Sequence, residues 1–133
     1  MAEFIFKDMV RKAGREKDFL IASAAVSREE LGNDMYYPAQ EALREHGIPF
    51  TRHSAHQVTE QEMEFYDLII IMDDSNRQYL RRMFRGRYEE KVHLLMEYTG
   101  YPRSVSDPWY TCDYDTAFAD IEAGCRDLLP ALP

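Results

Sequence analysis

Cysteine is scarce in this 133-residue chain. Only Cys112 and Cys125 are present, 13 residues apart. They form no C-x-x-C pair, and the four histidines form no H-x₃-H pattern, so neither a zinc site nor a disulfide framework is expected. A reducing, cytoplasmic setting fits this usage best. Long apolar runs are missing too, so no membrane partner is expected. The opening "MAEFIFKDMV" has neither the charged start nor the continuous apolar stretch of a signal peptide. Basic residues are in the minority, 16 against 24 acidic, for a net charge of −8. That balance excludes a nucleic-acid partner, because phosphate-backbone binding needs a basic face. The one basic cluster, "RRMFRGR" at 81–87, reads as a solvated helix end or as a patch that faces an anion.

What is present is an ordinary globular composition, 45% hydrophobic, in a length that suits one domain with its own core. Residues 1–13 carry Phe4, Ile5, Met9 and Val10 at helical spacing, closed by Gly14. "FLIASAAV" at 19–26 predicts a buried strand. "YPAQEALREHG" at 37–47 predicts a helix, with proline near its start and Gly47 past its end. A weak extended segment is expected at 49–55. Thr59 and Glu62 have capping-box spacing before a short helix, "EQEMEFY". "DLIIIM" at 67–72 is the strongest strand signal, an apolar run suited to a sheet covered on both faces. A helix at about 75–84, a strand at 92–98 and a last helix from about 114 to 129 complete the series. Helices alternating with buried strands predict an α/β fold, a parallel sheet between helical layers.

"SDPWYTCDYD" at 106–115 stands apart. Proline pushes Asp107 toward extended geometry, and Trp109 and Tyr110 follow directly. From local sequence alone this is a turn that starts the last helix, with its aromatics packed on the core.

Taken in order, "MAEFIFKDMV", "SAAVS" at 23–27, "LGN" at 31–33, "ALREHGI" at 42–48, "MDDSN" at 72–76, "KVHLL" at 91–95 and "DPWYTCDYD" resemble the low-molecular-weight protein tyrosine phosphatases over nearly the whole chain. The resemblance implies a single domain over residues 1–133, a three-layer phosphotyrosine phosphatase I-like sandwich around a parallel sheet. It also implies a metal-free enzyme without cofactors, acting on phosphotyrosine proteins or small aryl phosphates. In such enzymes a cysteine in a C-x₅-R-S loop attacks phosphorus, and a phosphocysteine is then hydrolysed. Asp107 aligns with the general acid that protonates the leaving oxygen. Trp109 and Tyr110 align with the pocket walls, and Glu29 with a position at the pocket entrance where an aromatic is common. Ser23 and His53 align with a polar pair that supports the phosphate loop. His56 stands where the family usually has arginine.

The family's first strand and phosphate loop have no counterpart within these residues. Six positions after Cys112 is Phe118, and six after Cys125 is Ala131, so neither cysteine satisfies C-x₅-R. The chain as given is therefore expected to be N-terminally truncated and inactive. Either Met1 is internal to a longer phosphatase, or the short chain is a non-catalytic binding module. An arsenate-reductase-like relative on the same fold is a further alternative. A receiver-like domain, suggested by the acids after "DLIIIM", lacks its other acidic cluster and its lysine. A central strand buries about four or five large side chains, roughly 6–15 kcal/mol, comparable to a small domain's whole stability of about 5–15 kcal/mol. A dimer or higher oligomer is expected to compensate.

Overall fold

The computed structural model describes residues 1–28, 32–106 and 113–133. Helix α1 spans Ala2–Lys12. It buries Phe4, Ile5, Phe6 and Val10 along one side, as 3.6-residue periodicity dictates. Asp8 is also buried, and it holds Arg11 and Lys12 in the last turn. Those two cations suit the negative end of the helix dipole. Helix α2 spans Tyr37–Glu45, with Pro38 in its first turn. Gly47, at φ 69°, lets the chain leave the helix through a left-handed turn.

The Thr59–Glu62 capping box forms in full and opens α3, Glu60–Phe65. A second box, Asp73 with Asn76, opens α4, Asp74–Phe84. Between these helices lies β1, Ile69–Ile71. It pairs in parallel with β2, Val92–Leu94, in the register Ile69 to Val92, Ile70 to His93 and Ile71 to Leu94. The last helix, α5, spans Tyr114–Ala131. It is capped by Asp113, whose carboxylate accepts from the Thr116 amide.

Two apolar clusters flank this sheet. Ile70 joins the one built from Phe4, Ile5, Leu43, Leu95, Phe118 and Ile121, which lies under α1, α2 and α5. Ile69 and Ile71 join the other, with Met63, Leu80, Phe84, Val92 and Leu94, under α3 and α4. Strand side chains alternate between faces, so three successive isoleucines serve both cores. This is the expected α/β arrangement of helices on both faces of a parallel sheet.

Of the expected strands, the one at 67–72 keeps Ile69–Ile71, and two others depart further from the expectation. Residues 19–24 form no ladder, Val26 bends, and within the run only Ala25 bridges to another segment, at Gln57. The Ala25 amide donates to the His56 carbonyl, and the Val58 amide donates to that of Ala25, each at 2.8 Å. An apolar run becomes a strand only where a neighbour offers a ladder, and here one residue has one. The strand expected at 92–98 ends at Leu94 and tightens into a 3-10 turn at Leu95–Thr99. That turn packs closely on α5. A Cβ added at Gly124 would sit 2.5 Å from Leu95 Cγ.

Candidate active site

Ser23 and His53, far apart in sequence, come together. Ser23 Oγ lies 3.3 Å from His53 Nε2. The carboxylate that organises them is Glu3, in the first turn of α1. Ser23 donates its hydroxyl to Glu3 Oε1 at 2.6 Å, and His53 Nδ1 lies 3.8 Å from the same oxygen. A serine hydroxyl has a single proton. With that proton directed to Glu3, the Ser23 oxygen can only accept from His53, which places a proton on Nε2. Burial pushes the Glu3 carboxyl up, but hydrogen bonds from Lys7 and Ser23 outweigh it and hold the group below its ordinary range. The His53 ring also meets the edge of Phe4, with centroids 6.5 Å apart. The pair is therefore braced against α1 through both a carboxylate and a core aromatic.

Asp34 fixes the adjoining loop. Its Oδ1 accepts from the backbone amides of Met35 and His53, both at 2.8 Å. These two N–H groups, led by that of His53, hold its carboxyl below the usual range. Beside it the Gly32 amide donates to the Ala55 carbonyl at 2.7 Å, and the Ala55 amide to that of Asn33 at 2.8 Å. Residues 32–35 are thus sewn onto 53–55. Glu29, expected at the pocket entrance, lies outside the described residues.

Asp107, Trp109 and Tyr110 also lie outside the described residues, but the chain on either side of them is well tethered. The Val105 amide donates to the Met72 carbonyl at 2.9 Å, tying this segment to the residue just past β1. Asp120 on α5 takes two guanidinium hydrogen bonds from Arg103, at 2.7 and 3.0 Å. Its Oδ2 also accepts from the Ser106 amide at 2.9 Å. On the far side, Tyr114 in the first turn of α5 approaches Tyr36, with ring centroids 6.2 Å apart. The contact links the start of α5 to the segment that leads into α2.

Cys125 is buried in the core. Burial pushes its thiol up to about 12, so it carries no thiolate at neutral pH and cannot serve as a nucleophile. Cys112 lies outside the described residues.

Ser23 and His53 thus lie within hydrogen-bond distance of each other, while Glu3, Asp34 and Asp120 were not anticipated. Ser23 is 20 residues from Glu3, His53 is 19 from Asp34 and Arg103 is 17 from Asp120, so no local spacing betrays these contacts. The only sequence signal for Glu3 is an acid interrupting an apolar helix stripe.

A family model described as low molecular weight phosphotyrosine protein phosphatase matches residues 1–133. The low molecular weight protein-tyrosine-phosphatase YfkJ of Bacillus subtilis is 34% identical, with 99% of this chain aligned to 86% of that protein. The low molecular weight phosphotyrosine protein phosphatase of Homo sapiens is 31% identical, with 97% of this chain aligned to 84% of it. The crystal structure of YfkJ superposes with a TM-score of 0.93, covering 98% of this chain and 83% of that one. That of a low molecular weight protein tyrosine phosphatase from Streptococcus pyogenes, 31% identical, gives 0.89, covering 99% and 83%.

Proposed function

This chain belongs to the low molecular weight phosphotyrosine protein phosphatase family, and from that premise we propose that it provides the scaffold, the general acid and the pocket walls for hydrolysis of aryl phosphate monoesters. The substrate is phosphotyrosine on a protein or a small aryl phosphate. Asp107 protonates the leaving phenolate and then activates the water that releases phosphate. Trp109 and Tyr110 hold the aryl ring, with Glu29 at the entrance. Ser23 and His53 act as positioning residues, and Glu3 fixes the hydroxyl and ring that they present.

The observation that carries this reading is the convergence of Ser23 and His53 on Glu3, within a chain that matches the family from end to end. A half-buried carboxylate, a hydroxyl and an imidazole in one network specify a rigid corner. A phosphate loop supported by such a corner can aim its N–H groups at a dianion without reorganising.

No cysteine in residues 1–133 is followed six positions on by arginine. We infer that these residues alone do not turn over aryl phosphates, because neither the nucleophile nor the guanidinium for the transferring phosphoryl group is supplied in that spacing. Self-association is part of the same reading. Among the described residues β1 has β2 on one side only, and an unpaired strand edge invites another chain. The cysteine usage supports a reducing cytoplasmic setting.

Chromogenic aryl phosphate hydrolysis tests the reading in two polypeptides. Residues 1–133 should be inactive. The same residues preceded by a strand and a C-x₅-R-S loop of the family pattern should be active in the presence of chelator. Activity in residues 1–133 that is lost on replacing Cys112 or Cys125 would overturn it.

A further inference from the structure

The arginines of α4 and of the turn that follows it play no part in the site above, yet three of them border a cavity. This cavity, about 160 Å³, is lined by Arg77, Leu80, Arg81, Arg87, Glu89 and Val92. It opens beside Val92, the first residue of β2. The segment leading to Asp107 leaves instead from beyond the ends of the strands, where Val105 meets Met72. The two places lie at opposite ends of the sheet.

Three arginines and one acid, Glu89, line the cavity. Arg81 uses its Nε to bind Glu89, which leaves both terminal nitrogens available. Arg87 donates Nε to the Phe84 carbonyl at 3.0 Å and pairs through Nη1 with Glu60, which leaves Nη2. Arg77 is half-buried, and among the described residues its side chain has no hydrogen bond, ion pair or ring contact. The floor is apolar, since Leu80 and Val92 are both buried. A low-dielectric floor strengthens a charge–charge contact at the cavity mouth.

We propose that this cavity binds a phosphate-type oxyanion, with Arg77 as its principal ligand and Arg81 and Arg87 completing the cradle. Guanidinium forks match tetrahedral oxyanions in pairs of parallel hydrogen bonds, and Arg77 has all five of its donors to give. The occupant is small. The chain carries a net charge of −8, so a long polyanion docked here would meet repulsion around the patch, whereas one phosphate group needs only the cavity. Inorganic phosphate and the phosphate of a monoester share this chemistry. The site is independent of whether Asp107 acts as the general acid.

Arginine Nε–Hε resonances of residues 1–133, titrated with inorganic phosphate at low ionic strength, test the site. We expect saturable shifts at Arg77, Arg81 and Arg87 that follow one isotherm. Arg77→Gln should weaken that binding at least tenfold, because it removes the charge from a side chain that holds nothing else in place. Arg82→Gln, on the same helix but outside the cavity, should leave the affinity within about twofold. A parallel titration with phenyl phosphate identifies the source, since the tighter of the two ligands is the favoured occupant. Non-saturable drift reproduced by sodium chloride would overturn the proposal. So would unchanged affinity in Arg77→Gln, or an equal loss in Arg82→Gln.

Discussion

Asp120 holds Arg103 through two hydrogen bonds, at 2.7 and 3.0 Å, and accepts a third from the amide of Ser106, the residue before Asp107. One carboxylate on α5 thereby fixes the chain at the point where it departs toward the proposed general acid. Asp120→Ala strands the Ser106 amide and frees Arg103. It should destabilise the fold by about 1–3 kcal/mol, read as a lower urea midpoint with an unchanged slope. Arg103 is half exposed, so Arg103→Ala should cost less than Asp120→Ala. An equal or larger cost for Arg103→Ala would show that the amide contact is not the important one.

Stability should fall at acid pH. Hydrogen bonds from Arg103 hold the Asp120 carboxyl below its ordinary range, and those from Lys7 and Ser23 do the same for Glu3 against the opposing effect of burial. A carboxyl with a lowered folded pKa contributes fully above its unfolded pKa, about 4. That contribution is lost as pH falls through the folded value. The urea midpoint should be flat from pH 7 to about 5 and should drop below pH 4. Asp120→Asn should lose part of that dependence, and a variant as acid-sensitive as the parent would remove Asp120 from the explanation.

Gly124→Ala should destabilise although alanine is the better helix former. Propensity favours the change by up to about 1 kcal/mol. The new methyl, however, meets Leu95 Cγ at 2.5 Å, and Leu95 is itself fully buried. Overpacking of this kind costs about 1–3 kcal/mol. A raised thermal midpoint in Gly124→Ala would mean that the turn at Leu95–Thr99 yields easily.

Cys125 should be inert in the folded protein. In a Cys112→Ala background, a thiol-reactive disulfide reagent should react only at the rate of unfolding and completely in denaturant, because the thiol is buried and pushed up to about 12. Immediate reaction in native buffer would contradict the core placement.

Much of this architecture was legible from local sequence. The Thr59–Glu62 box, the Pro38 start of α2 and the isoleucines of β1 each act within a few residues, and all form as read. The run at 19–26 misled because its composition suits a strand, whereas strand pairing depends on a neighbour elsewhere in the chain. Of the site, Ser23 and His53 were legible through the family resemblance. Glu3 was not, since its role depends on folding Ser23 and His53 onto α1. Asp120 was hidden among the acids of an amphipathic helix and gains meaning only when Arg103 and Ser106 fold against it.

The most direct measurement is leaving-group dependence in residues 1–133 preceded by a C-x₅-R-S strand and loop. Turnover of phenyl phosphate, a poor leaving group, should fall by about 10²- to 10⁴-fold in Asp107→Asn. Turnover of an aryl phosphate with an acidic phenol should fall much less, because that phenolate departs with little protonation. If Asp107→Asn hydrolyses phenyl phosphate at the parental rate, the proton comes from elsewhere and Asp107 is not the general acid.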